Sequence, residues 1–375
     1  MSDTPKYLQL VEDIKSWIES GKLAPGDKIP TEYELAKQYN ISRHTVRQAI
    51  TQLSYERWVK KAQGRGTFVL DPPSRSNIQS PKSYLIGVIT TYVSDYIFPS
   101  IIHGIESRLR SEGYSILLAS TMNDPVLESQ ALQSVIDRKV DGVIIEPAMS
   151  AYPDSNHKAY LALFERRIPF VMLHAARPEY PVPCVRVDDE AGTKLITEHV
   201  MALGHTRIGG IFKADDLQGK LRLRGYLGAL REGNVEVKPE YLSFYTTAQR
   251  EKAVNEYVDG LLKLHGESRP TAIVCYNDDI AFQLIQLLEQ QGVRCPDDVS
   301  VVGFDNARMP TLGSYQLTTI RHPGSVLGEA AADTILRFIE NVDKGCWSTL
   351  GDRIFEPQLI VGNSTKEQRV VDVSD

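Results

Sequence analysis

Two arginines stand four residues apart, at Arg43 and Arg47, and a third sits between glycines in Gly64-Arg65-Gly66. Guanidiniums one helical turn apart share a face and can fork onto guanine edges or phosphates in a DNA major groove. An arginine at a glycine-bounded tip can reach a minor groove, because glycine permits a tight turn and close backbone approach. Farther along, polar and aromatic side chains recur just past short apolar runs. They are Tyr92, Ser94, Asp95, Tyr96 and Phe98, then Glu146, then His174, then Lys213 with Asp215 and Asp216. Asn277, Asp278 and Asp279 follow, then Asp305 with Asn306, while Arg222 opens a helix. Carboxylates accept two hydroxyls each, arginine donates to several oxygens, and aromatic faces stack on C–H-rich rings. That is the chemistry of a neutral polyhydroxy ligand such as a sugar. Any one of these residues also reads as a helix cap or a solvated strand end, so the convergence of the set carries the argument.

The arginine pair needs a helix beneath it. Ser42 is a good N-cap, and Val46, Ala49, Ile50 and Leu53 follow at helical spacing on one apolar face. His44 and Gln48 stack on another face. Before them, Thr31-x-x-Glu34 is a capping box for a helix whose stripe is Leu35, Ala36 and Tyr39, and Asn40-Ile41 makes the turn. A first helix over 6–20 carries Leu10, Ile14, Trp17 and Ile18 on one side, and Gly21 ends it. Trp58-Val59 and Thr67-Phe68-Val69 are short β-prone runs flanking the Gly-Arg-Gly tip. From Lys37 to Arg65 seven Lys/Arg face one acid, Glu56, the electrostatic footprint of a nucleic-acid surface.

At 375 residues the chain has room for two or three domains, and its 42% hydrophobic and 24% charged content is ordinary for a globular protein. The net charge of −6 is uneven: residues 1–70 carry 11 basic and 8 acidic side chains, which leaves −9 for the rest. A basic head on an acidic body fits a DNA reader joined to something else. Cys184, Cys275, Cys295 and Cys346 lie far apart without metal-ligand spacing, so free thiols in a reducing compartment are expected, with no metal and no cofactor. The start MSDTPKYLQ lacks an apolar h-region, and no run approaches the ~18 apolar residues of a span. The expectation is a cytoplasmic protein with no membrane partner.

The stretch DPPSRSNIQSPK, with three prolines and three serines, reads as a linker over 71–82 between a head over 1–70 and a body over 83–375. In the body, strand-like runs at 83–90, 114–120, 141–147, 169–174, 184–188, 207–212, 271–277 and 300–305 alternate with helical stretches at 100–112, 126–138, 157–167, 190–203, 219–233, 249–265 and 278–291. Short runs nearly continuous in apolar residues are expected of strands buried on both faces. The rhythm predicts a doubly wound α/β fold, and its length predicts two lobes with ligands at the carboxyl ends of the strands.

Residues 5–69 resemble the winged helix-turn-helix domain of the GntR family, through PKYLQLVEDIKSWIESGKLAPGDKIPTEYELAKQYNISRHTVRQAITQL and GRGTFV. The resemblance implies operator contact by Arg43, Thr45, Arg47 and the wing Gly64–Thr67. The candidate DNA set is Lys6, Thr31, Glu32, Ser42, Arg43, His44, Thr45, Arg47, Gln48, Gln63, Gly64, Arg65, Gly66 and Thr67. Tyr33 and Arg57 depart from the family pattern. From Tyr84 to Gly362 the chain resembles the effector domain of the LacI/GalR family, itself similar to periplasmic sugar-binding proteins. The blocks are IDRKVDGVIIEP, VRVDDEAGTKLITEHVMALGHTRIGGI, RLRGY, CYNDDIAFQLIQLLEQQGVRCPDDVSVVGFDN and LTTIRHPGSVLGEAAADTIL. Here the resemblance implies effector contact by Arg222 and Asp278, and by Asp305 and the Tyr92–Phe98 loop. The candidate effector set is Tyr92, Ser94, Asp95, Tyr96, Phe98, Glu146, His174, Lys213, Arg222, Asn277, Asp278 and Asp305.

A GntR-type head on a LacI/GalR-type body resembles the arabinose-responsive repressors, which implies L-arabinose as effector and arabinose-utilisation operons as targets. The expectation is a homodimeric repressor of palindromic double-stranded operators that leaves DNA when sugar fills the cleft between lobes. The same architecture with another sugar or a purine, or a ligand-dependent activator, is the alternative. An enzyme is not expected: G-x-S-x-G, Walker, H-E-x-x-H and post-strand G-x-G-x-x-G motifs are all missing.

Overall fold

The computed structural model describes residues 6–55, 58–62, 65–70, 82–94, 96–264, 266–307, 316–343 and 350–368. The chain divides into two compact units, Met1–Lys82 and Ser83–Asp375. The first contains α1 (Lys6–Glu19), α2 (Glu32–Tyr39), α3 (Arg43–Tyr55), β1 (Val59–Ala62) and β2 (Gly66–Val69). The capping box forms at α2: Glu34 accepts the Thr31 backbone N–H at 2.7 Å, and Thr31 Oγ1 accepts the Glu34 N–H at 3.3 Å. Asn40 closes α2 in the left-handed region, with φ 50, and its N–H donates to Ala36. Ser42 Oγ accepts the Thr45 N–H at 3.1 Å and so begins α3. Leu10, Ile14, Leu35, Val46, Ala49, Ile50 and Leu53 interlock as one core, onto which Val59 and Val69 of the wing pack. The wing is antiparallel, with Lys60 opposite Phe68, and Lys28 bridges Phe68 on its other side. At its tip Gly66 has φ 121, a backbone conformation that residues with a side chain rarely adopt, and lies against the end of the Lys28 side chain.

In the second unit, one sheet holds β3 (Leu85–Thr90), β4 (Ser115–Ser120), β5 (Gly142–Ile145), β6 (Phe170–Leu173) and β7 (Cys184–Val187), helices α4 (Phe98–Ser111), α5 (Pro125–Asp137) and α6 (His157–Glu165) intervening. The other lobe follows as α7 (Asp189–Ala202), β8 (Ile208–Lys213), α8 (Leu217–Glu232), β9 (Leu242–Tyr245), α9 (Arg250–Lys263), β10 (Ala272–Cys275), α10 (Asp278–Gln290), β11 (Ser300–Val302) and β12 (Thr319–Arg321). The chain then returns through α11 (Gly324–Asp343) and β13 (Arg353–Phe355) to the first sheet, and crosses once more into β14 (Gln358–Ile360). The first sheet runs β13-β7-β6-β5-β3-β4 and the second β11-β10-β8-β9, every pairing parallel; β12 and β14 form an antiparallel pair. Parallel strands need helical crossovers on both faces, and that requirement explains the alternation seen in the sequence.

Three connections join the lobes: from β7 into α7, from β12 into α11, and from β13 into β14. Helix α11 docks on α4, where Gly104 and Gly328 each face the partner helix's backbone too closely to carry a Cβ. Strands β9, β12, β13 and β14 and helix α11 are elements that the sequence reading left out. Among the described residues no helix is long and apolar enough to cross a membrane, and no group of three or more acidic, histidine or cysteine side chains gathers to hold a metal. Cys184, Cys275 and Cys295 are buried; Cys346 lies outside the described residues.

Candidate functional site

In the first unit, Ser42, Arg43, His44, Arg47 and Gln48 are exposed on α3, opposite the face that packs on α1. Glu32, near the start of α2, accepts from Arg47 Nε at 3.3 Å and Nη2 at 3.0 Å, and Arg43 Nη2 lies 3.8 Å from the same carboxylate. The two guanidiniums are thus held side by side at the start of α3. A groove between this edge and the wing is walled by Thr31, Glu32, Lys61, Arg65, Gly66 and Thr67. Lys6 is exposed at the start of α1, and Thr45 Oγ1 is spent on the Ser42 hydroxyl at 2.9 Å. Gln63 and Gly64 lie outside the described residues.

In the second unit, a cavity of about 400 Å³ opens at the carboxyl ends of both parallel sheets. Tyr92, Tyr96, Phe98, Glu146, His174, Lys213, Arg222 and Asp305 line it. Arg222, on α8, is the centre of the floor. Its Nε donates to Asp189 at 2.8 Å, Nη1 to the Tyr276 carbonyl at 2.6 Å and Nη2 to Asp305 at 3.3 Å. Its plane lies 3.7 Å from the Phe304 ring centroid and 4.7 Å from that of Tyr276. Burial pushes Asp189 up to about 6 against the pull of Arg222. Tyr96 reaches across from the first lobe and donates to Asp305 at 2.7 Å.

A second chain of contacts begins at Glu146. One oxygen accepts the Thr91 N–H at 2.8 Å and hydroxyl at 2.6 Å; the other lies 2.8 Å from His174 Nδ1. His174 Nε2 in turn lies 3.1 Å from His322 Nε2. Burial opposes charge on both members of the first pair, yet each supplies the other's counter-charge. Glu146 is therefore held below, and His174 above, its ordinary value. His322 is driven far down by burial, His174 and Arg222, and stays neutral. His174, Tyr96 and Asp305 have φ 62, 64 and 103. Left-handed backbone at non-glycine residues costs about 1–3 kcal/mol each and persists only where surrounding structure enforces it.

On the far wall Lys213 Nζ sits 3.0 Å from Asp216, which also accepts from the Tyr276 hydroxyl at 2.7 Å and, as N-cap of α8, from the Gly219 N–H at 2.7 Å. Three polar contacts bridge the lobes along the rim. Asn123 Nδ2 donates to Thr247 Oγ1 at 2.8 Å, the Leu217 N–H donates to Ser150 Oγ at 2.9 Å, and Lys220 donates to the Ala151 carbonyl.

Three of the candidate effector residues stand elsewhere. Asn277 does not line the cavity; its side chain accepts the Ile280 N–H at 3.0 Å and caps α10. Asp278 is buried behind the wall, accepting the Thr319 hydroxyl at 2.6 Å and the Ala307 N–H at 2.7 Å, and burial followed by Asp305 pushes it well above the carboxylate range. Ser94 is exposed and outside the wall, and Asp95 lies outside the described residues. Sequence reasoning missed Asp189, Arg250, Tyr276 and His322 in the wall. Asp189 stands two residues past the end of β7, and His322 directly follows β12. Tyr276 was absorbed into an apolar run, and β12, only three residues long, gave His322 no strand to follow.

Residues 6–69 match the family described as bacterial regulatory proteins, gntR family, and residues 197–365 match a periplasmic binding protein-like domain. The arabinose metabolism transcriptional repressor of Geobacillus stearothermophilus is 47% identical over 97% of this chain and 98% of its own length. The protein so described in Halalkalibacterium halodurans is 41% identical over 97% of each chain. Among solved structures, a LacI transcriptional regulator from a Rhodococcus species aligns at 26% identity with a TM-score of 0.63, covering 76% of this chain and 98% of that one.

Proposed function

Because the chain belongs to the family of arabinose metabolism transcriptional repressors, we propose that it is a homodimer that represses arabinose-utilisation genes and releases its operator when L-arabinose fills the cleft. The observation that carries this reading is the cavity of about 400 Å³ at the strand ends of both lobes, walled by fixed carboxylates, a stacked guanidinium and aromatic rings. Its size is within the roughly 300–1,000 Å³ of small-molecule sites. Asp305, Glu146 and Asp216 offer acceptor oxygens for sugar hydroxyls, while Tyr92 and Phe98 meet edge-on at 5.7 Å and present apolar surface to ring C–H groups. In a dimer, two α3 helices would read half-sites of a palindrome about 34 Å apart, or a multiple of that.

Calorimetric titration of L-arabinose into the full chain, with D-xylose and D-galactose beside it, tests the effector. Gel-shift assays on DNA from upstream of arabinose-utilisation genes, with and without the sugar, test the release. Saturable binding of L-arabinose together with loss of the shifted band is the expected result. Binding of another sugar alone would move the target genes elsewhere, and a band strengthened by L-arabinose would reverse the sign.

A further inference from the structure

We propose that Arg177 and Glu128 are positioning residues for closure of the lobes on the effector: they fix the shape of a strap over 148–156, between β5 and α6, so that its Ser150 hydroxyl and Ala151 carbonyl meet the start of α8. This rests on the reading of the cleft as an effector site that shuts on its ligand, and it names the residues that hold one half of the fastening.

Both residues are buried charges, and neither lines the cavity. A buried charge is costly unless its hydrogen bonds are made within the protein. Arg177 Nη2 donates to the Ala148 carbonyl at 2.8 Å and Nη1 to the Tyr152 carbonyl at 3.1 Å. Among the described residues its Nε–H has no partner, so the strap takes the hydrogen bonds that this guanidinium makes. A guanidinium is a rigid planar fork and therefore sets the separation of the two carbonyls, and with it the turn between them. Glu128, on α5, accepts the Ala148 N–H at 3.1 Å through one oxygen and Asn156 Nδ2 at 2.6 Å through the other. The strap is thus gripped from beneath at both ends. Between the grips Met149 has φ 47, a left-handed backbone that persists only where its surroundings enforce it, and its N–H donates to Asn123 at 2.7 Å.

The other side of the strap meets α8. The Asp216 cap takes the Gly219 N–H, and the Leu217 N–H at the head of the helix goes across the cleft to Ser150 Oγ at 2.9 Å. Lys220, one turn along, donates to the Ala151 carbonyl and lies 5.6 Å from the centroid of the Tyr152 ring. Three consecutive strap residues therefore face the first turn of one helix. A loose segment would have to be ordered at the moment of shutting, whereas one already fixed by Arg177 and Glu128 avoids that entropic cost.

The test is calorimetric titration of L-arabinose, D-xylose and D-galactose into the full chain, arranged as a mutant cycle. Arg177→Gln is expected to weaken binding of the best sugar by roughly 10-fold, since it removes two charge-assisted bonds to the strap. In a chain that already carries Ser150→Ala and Lys220→Ala, the same change should weaken binding by less than about 2-fold, because the fastening is gone. Lys220 stands outside the cavity wall, so coupling to it reads the fastening and not contact with sugar. Asn156→Ala frees the strap from Glu128 at one end only; it should show the same pattern at about 3-fold, and it carries the test if Arg177→Gln does not fold. A residue that merely supports the first lobe would lower the melting temperature and affect binding equally in both backgrounds. Equal weakening in the two backgrounds, or none in the first, would therefore overturn the proposal. Coupling seen with a sugar other than L-arabinose would support the strap and remove the arabinose assignment. If no sugar in the panel bound, the reading of the cleft would fall and the proposal with it.

Discussion

Arg222 is held by two carboxylates, one carbonyl and two aromatic rings at once. Truncating it would strand Asp189 and Asp305 as buried charges, which costs about 3–5 kcal/mol. Arg222→Ala is therefore expected to lower the melting temperature of the second unit's transition and to abolish measurable sugar binding; an unshifted transition in calorimetry would contradict this. His174 gives a pH signature. It holds its proton more tightly folded than its ordinary 6.5, so the stability from its pair with Glu146 is complete below about 6.5 and is lost as pH rises through the folded value. Glu146, lowered from 4.5, gives stability that is present above 4.5 and lost only as pH falls through its folded value. Asp189 acts in the other sense, since its rise from 3.8 to about 6 destabilises the fold progressively between those values and no further above them. Melting temperatures followed upward from about pH 6.5 should thus fall more steeply in the unmodified protein than in His174→Gln. Parallel curves would remove His174 as the cause.

Among the elements, the buried strands were legible because apolar runs of four to six residues bounded by turns have few other uses. Predicted runs such as 141–147 overshoot Gly142–Ile145 by Asp141, Glu146 and Pro147, which flank the apolar run. Strands β9, β13 and β14 escaped because they are short and half exposed, with neither alternation nor continuity to betray them. Helix α11 begins at Gly324, directly after Pro323, and carries Gly328; the two glycines argue against a helix until the close packing of Gly328 on α4 is known. At the site, polarity after a strand located the wall but could not separate residues that face the cavity from those that hold it up. Asn277 and Asp278 are neighbours of wall residues, but their side chains turn to the Ile280 N–H and to the Thr319 hydroxyl and Ala307 N–H. Element ends also yield a prediction about closure. The first N–H of α8 is satisfied by Ser150 from the opposite lobe, so Ser150→Ala should cost the closed form about 0.5–2 kcal/mol, seen as roughly 2- to 30-fold weaker sugar binding. Lys220→Ala, which removes the contact to the Ala151 carbonyl away from the cavity, should act in the same direction and more weakly. Unchanged affinity in both variants would mean that these rim contacts do not hold the lobes together.

For the whole molecule, the proposed function would make repression and induction one equilibrium viewed from two ligands. If sugar weakens operator binding by some factor, operator must weaken sugar binding by the same factor, with a coupling on the order of 1–3 kcal/mol. Titrating L-arabinose into the protein alone and into its operator complex measures both sides, and equal affinities would sink the coupling. The three crossings between the lobes set what kind of equilibrium this is. A single tether would let one lobe swing and twist freely on the other. Three side by side, two of them carrying Pro323 and Pro357, resist twist and leave bending about one axis as the inexpensive motion. Such a hinge would make the second unit a toggle with a single coordinate: ligands of different fit would then change the fraction of time it spends shut, while the shut geometry itself stays the same.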